Sequence, residues 1–222
     1  MTLSSSGTSR RTLAKGAAWA APVLLASTAI PAYAASMCES YRSNFNSGFS
    51  LQNPVSGSLW RPQSNRVNDG SDGVPYFYAG TSALNVEGAL IRHTGLISSG
   101  DPSNSNLKTG CTYQVSYDIS SIASITGADL HPIMTAYLLS PSGAEVSGSR
   151  VSYSVTPGVA DVRVPLGDRS RGIRKQASGR GFSFTAEPGT YRWVAEIWIP
   201  QAPNAGRTPS GLGYSAPVFT AG

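Results

Sequence analysis

Between Gln52 and Gly73 the chain gathers Trp60, Arg61, Asn65, Asn68, Asp69 and Asp72, and the aromatic trio Tyr76, Phe77 and Tyr78 follows at once. Aromatic faces stack on the apolar faces of pyranose rings while Asn, Asp and Arg bond hydroxyls, so this mixture has the chemistry of a sugar-binding surface. Trp60, Arg61, Tyr76 and Tyr78 are the candidate ligand contacts, joined by Trp198 from a later strand. The competing assignment makes Trp60 a plug of the core and Tyr76 and Tyr78 strand residues, the commoner fate of large aromatic side chains. Asn68-Asp69-Gly70-Ser71-Asp72-Gly73 is rich enough in oxygen to consider calcium, with Asp69 and Asp72 as weak candidate ligands. The EF-hand spacing fails, because Gly70 stands at the third loop position and Ala79 where a closing Glu belongs. Tight Asx-Gly turns are the plainer reading, and no cofactor is expected.

A second cluster, Arg169, Arg171, Arg174, Lys175 and Arg180 against the single acid Asp168, falls between Gly167 and Arg180. Guanidinium pairs strongly with phosphate and carboxylate, so these residues are candidates for contact with an anionic wall polymer. As a solvated loop they would instead be the first place a protease cuts. The segments from Ser98 to Gly110 and from Pro200 to Leu212 are polar loops without assigned chemistry.

Catalytic signatures do not emerge. Alternation counted from Leu84, Val86 and Leu90 puts His93 on the polar face of its strand, and His131 precedes Pro132 in a loop. There is no Gly-x-Ser-x-Gly elbow, His-Glu-x-x-His helix or phosphate loop. Five Glu and seven Asp are scattered along the chain, so a hydrolase whose carboxylate pair forms only on folding stays as an alternative without a motif. No catalytic residue is assigned, and the balance leans away from an enzyme.

The clearest pattern is N-terminal. Ser9-Arg10-Arg11-Thr12-Leu13-Ala14-Lys15 fits Ser-Arg-Arg-x-apolar-x-Lys, an apolar stretch runs from Gly16 to Ile30, and Ala32-Tyr33-Ala34 offers a small-x-small cut site. This segment resembles a bacterial twin-arginine export signal cleaved after Ala34. The resemblance implies the twin-arginine export machinery and signal peptidase as partners, with Arg10 and Arg11 as the export residues. A membrane anchor fits less well, because Pro22 and Pro31 interrupt a stretch shorter than the roughly 20 apolar residues that span a bilayer. No comparable run follows, so the mature chain is expected to stay off the membrane. Removing Arg10, Arg11 and Lys15 lowers the 17 bases to 14 against 12 acids, a net of +2. That weak charge removes the basic stripe nucleic-acid binding needs.

Two cysteines, Cys38 and Cys111, remain after the cut. Export into an oxidising compartment favours a bond between them, which would close a long loop and stabilise the fold by on the order of 4 kcal/mol. A free buried thiol is the alternative, and lipid attachment is disfavoured by Ala35-Ser36-Met37 before Cys38. Twin-arginine passengers fold before export in a reducing cytoplasm, so the domain is expected to fold without the bond and gain it afterwards.

The elements that must position these residues follow from composition and period. Only 13% of the 222 residues are charged, while 24 Gly, 15 Pro and 34 Ser supply turns in a chain that is 40% hydrophobic. That is too apolar for disorder and too rich in turns for a helical bundle. Alternating segments recur at Leu84 to Ile97, Thr112 to Ile119, Ile133 to Ser140, Arg150 to Thr156, Asp161 to Leu166, Gly181 to Thr185, Thr190 to Ile199 and Tyr214 to Thr220. Pro141-Ser142-Gly143, Pro157-Gly158 and Glu187-Pro188-Gly189 punctuate them, and only Ser120 to Thr126 has room for a short helical turn. Around eight strands at this spacing predict an all-β antiparallel sandwich or jelly roll with long loops, as one domain over residues 35–222 behind the signal segment 1–34.

From Thr190 to Ile199, Tyr191, Trp193, Ala195, Ile197 and Ile199 share a core face, while Arg192, Val194, Glu196 and Trp198 share the other. The run Gly181 to Tyr191, with Phe182, Phe184 and Pro188-Gly189, predicts an antiparallel hairpin and resembles the closing hairpins of bacterial surface and carbohydrate-binding β-sandwiches. In its signal peptide and Ala/Gly/Ser-rich β composition the chain resembles uncharacterised exported proteins of high-GC Gram-positive bacteria. That resemblance implies export and a β-sandwich, and transfers no activity or site residue. The expectation is a secreted or surface-held, non-catalytic module that binds a glycan or a protein at the cell envelope. A structural component joining subunits through an edge strand is the alternative.

Overall fold

The computed structural model describes residues 38–45, 48–56, 65–68, 75–80, 88–100, 106–122, 132–167, 175–200 and 211–222. The chain divides into two units, Met1–Cys38 and Glu39–Gly222. Arg10, Arg11 and the cut site after Ala34 lie outside the described residues, as do Trp60, Arg61, Asp69, Asp72, His131, Arg169, Arg171 and Arg174.

The second unit is built of strands β1 (Tyr41–Arg42), β2 (Phe49–Ser56), β3 (Asn65–Asn68), β4 (Pro75–Gly80), β5 (Ala89–Ser99), β6 (Thr112–Ser116), β7 (Asp118–Ile122) and β8 (Ile133–Leu139). Then come β9 (Val151–Ser154), β10 (Val162–Arg163), β11 (Lys175–Ser178), β12 (Phe182–Thr185), β13 (Gly189–Ile199), β14 (Gly211–Ser215) and β15 (Val218–Ala221). Among the described residues there is no helix, hence none long and apolar enough to cross a membrane.

Three sheets result, ordered β1-β15-β6-β12, β10-β9-β8-β13-β5-β2 and β11-β7-β14-β4-β3. All described strand pairings are antiparallel except β9 with β10, and the isolated bridge between Ser99 and Leu107 is also parallel. The four- and five-stranded sheets are halves of one bent layer, because β6 runs into β7 through Tyr117 and β14 runs into β15 through Ala216 and Pro217. Pro217 has no N–H to give a ladder, so pairing breaks there. Its carbonyl instead accepts from the Ser43 amide at 3.1 Å and the Ser43 hydroxyl at 2.6 Å. The six-stranded sheet faces this bent layer, with Trp193 against Tyr117 at 4.9 Å and Tyr191 against Phe184 at 5.0 Å between ring centroids. The all-β sandwich expected from the sequence is the fold observed.

The core face read for β13 is the one buried: Tyr191, Trp193, Ala195, Ile197 and Ile199 are all sealed. On neighbouring β5 the reading was one residue out of phase. Ala89, Ile91, His93, Gly95, Ile97 and Ser99 point inward, and Leu90 and Leu96 are turned outward in one row with Arg92, Thr94 and Ser98. His93 is therefore a core residue, 4% exposed, and not a polar-face one. Gly95 lies in the same row because the Phe49 ring fills its place: a Cβ there would stand 2.5 Å from Phe49 Cζ.

Three further expectations are corrected. Phe182–Thr185 and Gly189–Ile199 do not form a hairpin, because β12 pairs with β6 in one layer and β13 with β5 and β8 in the other. The Pro188-Gly189 turn carries the chain across the sandwich, with Gly189 at φ 127° and hard against Pro141. Ser120, Ser121 and Ile122 extend β7 in place of a helical turn. Lys175 to Ser178, assigned to a basic loop, form edge strand β11 on β7.

Candidate functional site

The outward side chains of the six-stranded sheet make the candidate site. Register sets them in rows: Glu196 lies between Arg92 and Thr135, Val194 between Thr94 and Tyr137, and Arg192 between Leu96 and Leu139. On β2, Gln52 stands beside Arg92 and Ser50 beside Thr94. Apart from Glu196 and Thr135, these residues line a trough of roughly 580 Å³. At about 3.3 Å per residue, the line along β13 from Arg192 to Trp198 is about 20 Å long, enough for a short extended polymer.

Trp198 stands on this face beyond Glu196 and is 42% exposed. One side of its ring rests over Gly88, where a Cβ would fall 2.6 Å from Cζ2. A fixed aromatic ring with open surface is what stacking on a pyranose needs.

The charges near the trough are mostly committed to one another. Arg92 Nε donates to Glu196 Oε1 at 2.8 Å and its Nη2 approaches the same oxygen at 2.6 Å. Arg150 Nε donates to Glu145 Oε2 at 2.7 Å, while its guanidinium carbon sits 3.9 Å above the Tyr137 ring. That contact covers the ring, so Tyr137 offers no stacking face. Burial raises the Tyr137 phenol above its ordinary range, and the negative charge of Glu196 adds to the shift, so the group stays protonated. Arg192 is exposed, and among the described residues it forms no ion pair.

The residues named from sequence fall differently. Tyr76 and Tyr78 are buried, at 0% and 6% exposure, and their faces cannot receive a sugar. For Tyr78 the cause is packing across the five-stranded sheet: its ring lies across Gly213 of β14, which has no side chain to hold it off, and its hydroxyl donates to Ser120 Oγ of β7. Trp198 lies open as the two-faced reading of β13 allowed. Trp60, Arg61, Asp69, Asp72, Arg169, Arg171 and Arg174 lie outside the described residues. Lys175 opens β11, and Arg180 is exposed with its amide donating to the Tyr153 hydroxyl at 2.9 Å. The sequence reading missed the β2 and β5 residues Ser50, Gln52, Arg92 and Thr94. The available signal was alternation on β5 in register with Glu196 and Arg192.

Cys38 and Cys111 are both disulfide-bonded, and as the chain contains two cysteines they are bonded to each other. His93 sits in an aromatic cage, stacked on Phe77 at 4.0 Å and flanked by Phe49 at 5.0 Å and Phe45 at 5.4 Å. Its Nδ1 lies 2.8 Å from the Tyr214 hydroxyl, whose pKa burial pushes far up. This cluster is sealed and therefore structural. A second recess, of roughly 670 Å³, follows the seam of the bent layer and is lined by Arg42, Asn44, Asp118, Ser178 and Ser215 among others. It has hydroxyls and one charge of each sign, but no exposed aromatic ring.

No protein-family model and no curated protein sequence matches this chain. Among solved structures, it is similar to the CBM22-1–GH10 modules of the Clostridium thermocellum xylanase 10B complexed with xylohexaose, at 11% identity and a TM-score of 0.36 over 83% of this chain. It is similar to carbohydrate-binding modules of the β-sandwich superfamily, at 9% identity and a TM-score of 0.40 over 81% of this chain. The chain spans 28% and 61% of the lengths of those two. A cleaved adhesin domain of Lys-gingipain from Porphyromonas gingivalis aligns over 83% of this chain and 97% of its own, at 11% identity and a TM-score of 0.43.

Proposed function

We propose that this protein is exported by the twin-arginine route, cut after Ala34, and acts outside the cell as a non-catalytic glycan-binding module. The observation that carries the reading is the outer face of the six-stranded sheet, where the exposed ring of Trp198 stands one row beyond the end of a polar trough. Trp198 stacks on one sugar ring, and Gln52, Ser50, Thr94 and Arg192 supply hydrogen bonds along the polymer. The export part rests on Arg10, Arg11 and the residues that follow them, and matches the disulfide, which forms in an oxidising compartment.

The test is retention of the oxidised protein on purified cell wall, chitin and cellulose at low and high salt. Salt-resistant retention on one glycan, lost in Trp198→Ala while circular dichroism shows the variant folded, is the expected result. Retention on none of them, or retention unchanged in Trp198→Ala, overturns the assignment of this face.

A further inference from the structure

We infer that the glycan carries carboxylates and that Arg192 is the residue selecting them. This rests on the reading of the outer face as a glycan site and adds the substrate class. Arg92 is held by Glu196 and Arg150 by Glu145, each at or below 2.8 Å. Both guanidiniums are thereby neutralised and fixed, and neither can turn to a ligand anion without leaving a carboxylate unpaired. Arg192 has the opposite situation. It lines the trough, is exposed, and meets no carboxylate among the described residues.

Its neighbours sharpen the point. In both cross-strand directions Arg192 is paired with leucine, Leu96 on β5 and Leu139 on β8. Leu96 is 52% exposed, an open apolar surface beside a free cation. A sugar acid presents the same two features, an apolar ring face and a planar carboxylate. The ring would lie on Leu96 and the carboxylate would receive the guanidinium fork in two parallel hydrogen bonds. Of the two charged residues that line the trough, Arg92 is matched by Glu196, and Arg192 is the one left without a carboxylate among the described residues.

The experiment compares matched ligands on the oxidised protein by calorimetry: a short oligogalacturonate against its methyl ester, and a glucuronate-containing oligosaccharide against its carboxyl-reduced form. The acid form of at least one pair is expected to bind on the order of tenfold tighter, since hydrogen bonds to charged groups exceed neutral ones by that much. The preference should shrink with added salt. Arg192→Gln should bring the two forms of the pair to equal affinity, and Arg192→Lys should keep part of the preference, because it retains the charge without the fork. Equal binding of acid and neutral forms by the native protein, with Trp198→Ala abolishing both, overturns this inference and leaves the glycan reading standing. An acid preference that survives Arg192→Gln also overturns it. Failure to bind these ligands together with failure to bind wall, chitin and cellulose removes both.

Discussion

The two faces of β13 are separated by one side-chain alternation and differ in exposure everywhere except at Val194, an outward residue that is 2% exposed. Inward, Tyr191, Trp193, Ala195, Ile197 and Ile199 are packed to exclusion of solvent, and the neighbouring His93 is enclosed by aromatic rings. Outward, Arg192, Glu196 and Trp198 remain in contact with water or with paired charges. Residue type alone would have placed the chemistry on the wrong side. Histidine and the tyrosine pair Tyr76 and Tyr78 are the groups a search for sites selects first, and all three are sealed in the sandwich. Exposure, set by register, separates a ring that stabilises from a ring that can bind.

The sharpest break of this comparison is a matched pair of tryptophan truncations. Trp193→Ala removes the largest fully buried side chain among the described residues and is expected to cost about 3–5 kcal/mol of unfolding free energy. Trp198→Ala, on the same strand but 42% exposed, is expected to cost less, about 1–2 kcal/mol, because only part of its ring is packed, against Gly88. Denaturant titration of both variants measures the contrast, and equal losses would mean that Trp198 is a packing residue. Gly95→Ala comes next in size. Its new methyl would meet the Phe49 ring at 2.5 Å, and overpacking of this kind costs roughly 1–3 kcal/mol. In a Phe49→Ala background the same substitution should cost much less, and an unchanged cost would place the strain elsewhere.

How far the sequence could be read follows the same division. β13 was legible because one of its faces is packed throughout and the other, Val194 apart, is not, which writes a period of two into the residue types. β4 carries no such mark, since Tyr76, Phe77, Tyr78 and Ala79 are all buried, and a strand covered on both sides reads as an unpatterned aromatic run. β5 misled for a specific reason: its outward row includes Leu90 and Leu96, while its inward row includes His93 and Gly95, so hydrophobicity pointed the wrong way. The trough itself joins β2, β5, β8 and β13, strands far apart in the chain, and cross-strand neighbours of that kind leave no local pattern. Glu187-Pro188-Gly189 was correctly a turn, but turn chemistry does not say whether the next strand pairs beside the last or crosses to the other layer.

The smallest expected effect concerns charge. At the edge of the six-stranded sheet, Asp161 Oδ2 accepts from the Ser152 amide and from the Ser152 hydroxyl, both at 2.8 Å, beside the parallel pair of β9 and β10. Those two hydrogen bonds, the amide first, hold the Asp161 carboxyl below its ordinary value of 3.8. A depressed carboxylate contributes stability that is present above the unfolded value and is lost as pH falls through the folded one. Acidification below 3.8 should therefore loosen the contact of β10 with β9 while leaving the core around Trp193, held by packing, unchanged. The Ser152 amide resonance should titrate with a midpoint under 3.8, and Asp161→Asn should abolish that step. If Trp193 fluorescence moved with the same midpoint, the two faces of the sheet would respond as one body, and the separation between a packed side and a charge-paired side would fail as an account of what holds this edge.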